Sequence, residues 1–217
     1  DFNNYEIDEI SFEDNYAKDT ENSIKANLSK TFAEAPYLSE VKAGVKYRTR
    51  TKTVDSNIYI YDGDFDDMDP TQFAASDVDY GLGDFGPGLN RGRMRTYFNQ
   101  NRGSLELADL DSELESNGAS YETNEDIFAA YFMGTFDIND VHIVAGVRYE
   151  KTDFDTSGMR VELIEDEQND VEDVVNTPWQ SERSYDHFLP SINVKYNISE
   201  QLIVRGAYTQ TISRPGF

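Results

Sequence analysis

The sequence predicts an all-β protein: an antiparallel up-and-down meander that forms part of a transmembrane β-barrel, with long loops at one end. Three observations predict it. Segments of about ten residues alternate apolar and polar side chains, the period-two pattern of a strand with two unlike faces. The connections between them alternate between short and long. Composition points the same way, because 14 Tyr, 13 Phe and 14 Gly against 6 Pro in 217 residues suit pleated surfaces and turns better than helices.

Taken in order, weak strands are expected near residues 5–12 and 24–32. Over 40–50, Val41, Ala43, Val45 and Tyr47 oppose Lys42, Gly44, Lys46, Arg48 and Arg50. An apolar strand follows at 127–136. Over 141–150, Val141, Ile143, Ala145, Val147 and Tyr149 oppose His142, Val144, Gly146, Arg148 and Glu150. Phe188, Pro190, Ile192, Val194 and Tyr196 oppose Leu189, Ser191, Asn193 and Lys195; then Leu202, Val204, Gly206 and Tyr208 oppose Ile203, Arg205, Ala207, Thr209 and Thr211. Short polar turns are expected at 33–39, 138–140 and 198–200, and long loops at 54–125 and 153–185. The first loop is too long for a plain connector. It is expected to hold a small strand at 57–61 and a short amphipathic helix carrying Leu105, Leu107, Leu110 and Leu114. The acidic run 162–173 of the second reads as solvated.

A soluble sandwich would bury the apolar faces against each other, whereas a transmembrane barrel turns them to lipid and keeps the lysines and arginines in a wet lumen. Strands of about ten residues, with Tyr47, Tyr149, Tyr196 and Tyr208 near their ends, favour the barrel, whose aromatic girdles sit at the membrane interface.

With 42 acidic and 19 basic side chains the formal charge is −23. That surface repels phosphate backbones, so no nucleic-acid partner is expected. The absence of cysteine removes thiolate nucleophiles, disulfides and Cys-based metal sites. No stretch approaches the roughly 18 apolar residues of a membrane helix. Residues 1–9 are polar and acidic, so no secretory leader is expected within the sequence: either the protein never had one, or this is a processed or cut piece.

The local motifs divide into functional and bland readings. Residues 81–86, Gly-Leu-Gly-Asp-Phe-Gly, match G-x-G-x-x-G, but Pro87-Gly88 follow where a helix should start, so a loop is expected. Asp62, Asp64 and Asp66 have the spacing of the first calcium-loop ligands and are the candidate metal residues. Asp67 stands where such a loop needs Gly and Phe73 where it needs Glu, so the bland alternative is a solvated acidic tip. His142 and His187 lack any nucleophile arrangement, and no catalytic residue is assigned. Tyr59, Tyr61, Tyr80, Tyr97 and Trp179, with Phe65, Phe85 and Phe98 beside them, are the candidate ligand contacts, since aromatic faces stack on sugars or chelate rings. Holding the loops together is their bland role. Arg91, Arg93, Arg95 and Arg102 form the basic cluster of the long loop. Pairing with the acidic stretches is expected of them, with an anionic ligand as the alternative.

Three motifs occur in order: Gly146-Val-Arg-Tyr-Glu150, Phe188-Leu-Pro-Ser191 with its following strand, and a strand from Leu202 that ends in Arg214-Pro215 and an aromatic, Phe217. Together they resemble the barrel of TonB-dependent outer-membrane receptors over 125–217, and Lys42-Ala-Gly-Val-Lys-Tyr-Arg48 looks like an earlier strand of it. The resemblance implies a 22-stranded barrel closed by a plug in the outer membrane of a Gram-negative bacterium. It would import a small-molecule or oligosaccharide nutrient, such as an iron-siderophore or cobalamin, with energy passed by TonB. Short turns would then be periplasmic and long loops extracellular.

The sequence departs from that pattern in carrying no plug, no TonB box and too few strands to close such a barrel, so it reads as a middle slice of one. The competing readings are a self-contained, calcium-stabilised β-rich binding or structural protein of the cell surface, and an acidic glycan hydrolase.

Overall fold

A computed structural model describes residues 7–63, 69–166 and 171–214. Strands β1 (Ile10–Thr31), β2 (Leu38–Asp62), β6 (Tyr121–Ile138), β7 (Val141–Asp166), β8 (Val171–Ser199) and β9 (Leu202–Thr209) form one sheet in that spatial order, with the two-residue β5 (Glu106–Leu107) on the end of β2. Between β2 and β6 lie a hairpin of β3 (Ala74–Tyr80) and β4 (Gly83–Leu89), then helices α1 (Arg91–Asn101) and α2 (Asp109–Ala119). Sequential strands neighbour one another, as in a meander. The chain divides into a wall unit (residues 17–54, 121–159 and 178–217) and a loop unit (1–16, 55–120 and 160–177).

In the wall unit the register fixes the faces. Tyr47 pairs with Phe128, Val45 with Ala130 and Ala43 with Phe132; Ala130 pairs in turn with Tyr149 and Phe132 with Val147. Across the next hairpin Ile192 pairs with Tyr208 and Tyr196 with Val204, and the Tyr149 and Phe188 rings lie 5.0 Å apart. These positions make one continuous apolar face, and it is the exposed one: Phe132 is 56% and Phe188 66% accessible. Alternate positions point the other way and carry Lys42, Lys46, Arg48, Arg50, Glu125, Arg148 and Glu150, among which Glu125, Glu150, Ala129 and Thr152 are buried. This inverts the arrangement of a water-soluble sheet, which buries its apolar face.

The turns fall where expected. Residues 139–140 join β6 to β7, with Asn139 at φ 50°, the left-handed region that Asn tolerates better than most residues. Residues 200–201 join β8 to β9.

Several expectations are corrected. Of the expected weak strands at 5–12 and 24–32, residues 10–12 and 24–31 belong to one strand, β1, whose residues are mostly exposed, while residues 5 and 6 lie outside the described residues. The 54–125 loop is shorter than expected, because β2 runs on through the 57–61 segment to Asp62 and β6 starts at Tyr121. Within 153–185, β7 continues to Asp166 and β8 begins at Val171. Residues 153–158 pair with 121–126, but both faces there are polar, so the ladder persists where the hydrophobic alternation that signals it has gone. Leu110 and Leu114 lie on α2, whereas Leu105 precedes it and Leu107 belongs to β5. The G-x-G-x-x-G stretch turns a hairpin, Tyr80 pairing with Gly83, and not the strand-to-helix junction of a dinucleotide site.

The loop unit has its own small core of Ile60, Tyr61, Phe73 and Phe98. The Phe12 ring stands 4.1 Å from Phe98, and Tyr61 meets Phe98 edge-on at 4.9 Å. Helix α1 begins where Asn90 Oδ1 accepts the Arg93 N–H at 3.1 Å, the capping role for which Asn is favoured. Helix α2 lies along the end of β2 through serines one turn apart. Ser112, Ser116 and Ser120 accept the backbone N–H groups of Ile60, Ile58 and Ser56 at 2.9, 2.8 and 3.0 Å. Ser116 also donates to the Ile58 carbonyl at 3.1 Å. Four helical residues advance about 6.0 Å and two strand residues about 6.8 Å, so every fourth hydroxyl meets every second peptide of the strand.

Candidate functional site

The polar face of the wall unit is a lattice of ion pairs built on strand alternation. Arg48 on β2 donates to Glu125 on β6 at 2.7 Å and lies 3.7 Å from Glu21 on β1. Arg50 forks onto the Asp19 carboxylate, Nε donating at 3.0 and 3.1 Å. Tyr131 donates its hydroxyl to Asn27 at 3.1 Å. On β7, Glu150 accepts from Arg148 on one oxygen and from Arg214 on the other, both at 2.5 Å. Arg214 also reaches the Thr152 hydroxyl at 3.1 Å. Two of the three sequence motifs therefore meet in space, the arginine of the closing Arg-Pro stretch binding the glutamate that ends Gly-Val-Arg-Tyr-Glu. Lys46, Arg48, Arg148, Glu150 and Arg214 line a cavity of about 170 Å³. Within it Arg48 Nε is a buried donor with no hydrogen-bond acceptor among the described residues.

On the opposite face the apolar rows stop at Tyr47, Phe128, Tyr149 and Phe188. Beyond them Asp126, Asp153, Asp155 and Glu182 border a groove of about 590 Å³. Ser184 donates to Asp153 at 2.6 Å and Gln180 to Asp155 at 2.6 Å. Among the described residues no cluster of His, Asp and Glu has a metal-holding arrangement, and no helix is long and apolar enough to cross a membrane.

Among the described residues, the candidate aromatics of the loop unit have separate surroundings. Tyr61 is buried in the loop-unit core, and Arg102 donates to its hydroxyl at 3.0 Å. Tyr97 packs edge-on against Phe73 at 5.6 Å. Tyr59 and Trp179 are exposed on β2 and β8. Tyr80 ends β3, with its side chain, like that of Phe85, outside the described residues; Phe65 lies outside them altogether. Of the candidate calcium ligands, Asp62 ends β2 and is exposed, while Asp64 and Asp66 lie outside the described residues. His142 Nδ1 is 2.5 Å from Asp137, and His187 stacks edge-on with Tyr185 at 5.7 Å.

The expected pairing of the loop arginines with acidic stretches is corrected as well. Arg93 donates to the carbonyls of Gln72 and Ala74 at 3.2 and 3.3 Å, and Arg102 lies over the Tyr61 and Phe98 rings, 5.7 Å from each. Those partners are local carbonyls and ring faces, whose acceptor geometry sequence spacing does not encode. Arg91 and Arg95 instead line an open groove of about 880 Å³ with Ile10, Phe12, Glu13 and Met94.

The family model described as TonB dependent receptor-like, beta-barrel matches residues 1–217. No curated protein matches the sequence.

Proposed function

The chain belongs to the TonB-dependent receptor β-barrel family, and from that premise we propose that it supplies wall and outer loops of a receptor importing a scarce nutrient across the outer membrane. The nutrient is an iron-siderophore, cobalamin or an oligosaccharide, and the energy comes from TonB acting through a plug domain. One observation supports the membrane placement above all others. The exposed apolar band on β6 runs over 128–138, about eleven residues, where a strand crossing the hydrocarbon needs roughly 9 to 11. The acidic row that follows marks the return to water. The short turns then face the periplasm and the long connections face the outside medium, where they gather ligand, while the ion-paired face lines the lumen. The family is one of transporters and receptors, and the role assigned to these side chains is binding and passage.

The test compares uptake of labelled siderophore, cobalamin and oligosaccharide by cells with and without the gene, in hosts with and without TonB. Uptake of one nutrient that requires both is the expected result. Uptake indifferent to TonB, or protein recovered outside the outer-membrane fraction, refutes the proposal.

A further inference from the structure

We propose that the groove between α1 and the start of β1 in the loop unit binds a small polyanion, its carboxylate or phosphate oxygens held by Arg91 and Arg95. The inference rests on the receptor reading above and narrows its substrate class. The groove, of about 880 Å³, is large enough for such a ligand.

Charge is the first argument. Residues 55–120 hold 14 carboxylates and 4 arginines, all four within 91–102. With acids in such excess, an exposed arginine pair is expected to find internal partners. Arg93 and Arg102 are engaged by carbonyls and rings, but Arg91 and Arg95 make no ion pair or hydrogen bond among the described residues. Even Glu13, which borders the same groove, accepts instead from Asn15 at 3.0 Å.

Placement is the second. The two arginines are one turn apart on the same side of α1, and no acidic residue stands in its first turn. Like charges at this spacing repel each other, and cations at a helix N-terminus oppose the macrodipole. Helix stability disfavours the arrangement, whereas an anion seated between the guanidinium groups relieves both penalties. The rest of the lining is mixed: Ile10 and Phe12 on β1 and Met94 on α1 are apolar, and Ser11, Glu13 and Asn15 on β1 are polar. The three apolar side chains give the ligand's carbon body a wall, and the two arginines make the groove suit an organic polyanion better than a neutral sugar, which would leave both without acceptors.

The experiment titrates citrate, inorganic phosphate and maltotriose, by calorimetry at about 0.1 M salt, into the detergent-purified natural gene product that carries these residues. Citrate or phosphate is expected to bind and maltotriose not to. Arg91→Gln and Arg95→Gln should each weaken anion binding about tenfold to hundredfold, the range that one charge-assisted hydrogen bond is worth. Arg91→Lys should weaken it less, and Lys25→Gln, a remote exposed cation, not at all. Each variant is compared only after it shows the native heat-modifiable electrophoretic shift.

Failure of the unaltered protein to bind either anion overturns the inference, as does equal binding by the double glutamine variant. TonB-dependent uptake of a neutral nutrient, undiminished in that variant, also overturns it while leaving the receptor reading intact; loss of outer-membrane placement would sink the receptor reading itself.

Discussion

Placing a charge at Phe132 separates a lipid-facing sheet from a water-facing one. Phe132 lies in the middle of the apolar face, paired with Ala43 on one side and Val147 on the other. It stands six positions before Ile138, the last residue of β6. At about 3.4 Å per residue that is roughly 20 Å along the strand, and a tilt near 45° makes it about 14 Å of depth. Half of a hydrocarbon core of about 30 Å is 15 Å, so Phe132 sits at the midplane. Arginine on the lipid face at that depth costs about 2 to 4 kcal/mol, a shift of about 30-fold to 1,000-fold in the folded-to-unfolded ratio. Were the face wetted by water, replacing a side chain that is already 56% exposed would change stability by no more than about 0.5 kcal/mol. The assay is urea unfolding of the natural gene product in lipid vesicles, read by the heat-modifiable shift on gels. Asn193→Arg, an exposed substitution on the polar face, serves as the control and should remain within about 0.5 kcal/mol of the parent. Equal midpoints for Phe132→Arg and Asn193→Arg would refute the lipid-facing assignment.

Four further outcomes follow from other contacts. Glu150→Ala leaves the half-buried Arg214 without its carboxylate and should cost about 3 kcal/mol by the same unfolding measurement, the low end for removing one partner of a buried pair. Gly146→Ala should destabilise by about 1 to 3 kcal/mol, because a Cβ there would lie 2.6 Å from Met133 Cβ and 2.7 Å from the Phe132 carbonyl oxygen. Gly206→Ala, which meets nothing within 4 Å, should be neutral or stabilising by the same measurement. The fourth concerns pH. Asp69 accepts from the Thr71 hydroxyl and N–H at 2.6 and 2.8 Å, which holds its carboxyl below the ordinary 3.8, the hydroxyl contributing most. A depressed carboxyl stabilises fully above its ordinary value and loses that contribution as pH falls through the depressed one. Amide-exchange protection of residues 71–73, corrected for intrinsic rates, should therefore hold from neutral pH to about 4 and fall below it, and Asp69→Asn should remove that fall.

The wall is legible in the sequence because its two faces differ so sharply. Val41 to Tyr47 and Val141 to Tyr149 alternate without interruption, and the same alternation sets the observed registers. Legibility fails where polarity is uniform. In β1, and in β7 beyond Asp153, backbone pairing continues through residues whose side chains meet water on both faces, so no period marks it. The ion-pair lattice is half legible: Arg148 and Glu150 stand two apart on one face, but the reach of Arg214 to Glu150 spans strands. No local spacing encodes it. Tyr61, read as a ligand contact, is a core residue because Phe98 and Phe12, both remote in sequence, pack edge-on against its ring. A Ser-x-x-x-Ser-x-x-x-Ser run is plain at 112–120, yet its meaning depends on the strand end it lies against.

That serine run makes the attachment of α2 to β2 adjustable. Where β2 outruns β6, and before β5 pairs with its last two residues, Ser56, Ile58 and Ile60 are bonded by side-chain hydroxyls instead of another strand, and each hydroxyl can be removed without breaking the chain's path. A Ser→Ala change at 112, 116 or 120 withdraws that hydroxyl's contacts to β2, each worth about 1 kcal/mol, so the opening equilibrium of α2 from β2 can be tuned in steps of roughly fivefold or more by single substitutions. Evolution can thus change how readily α2 releases from the strand while leaving the strand's own sequence untouched.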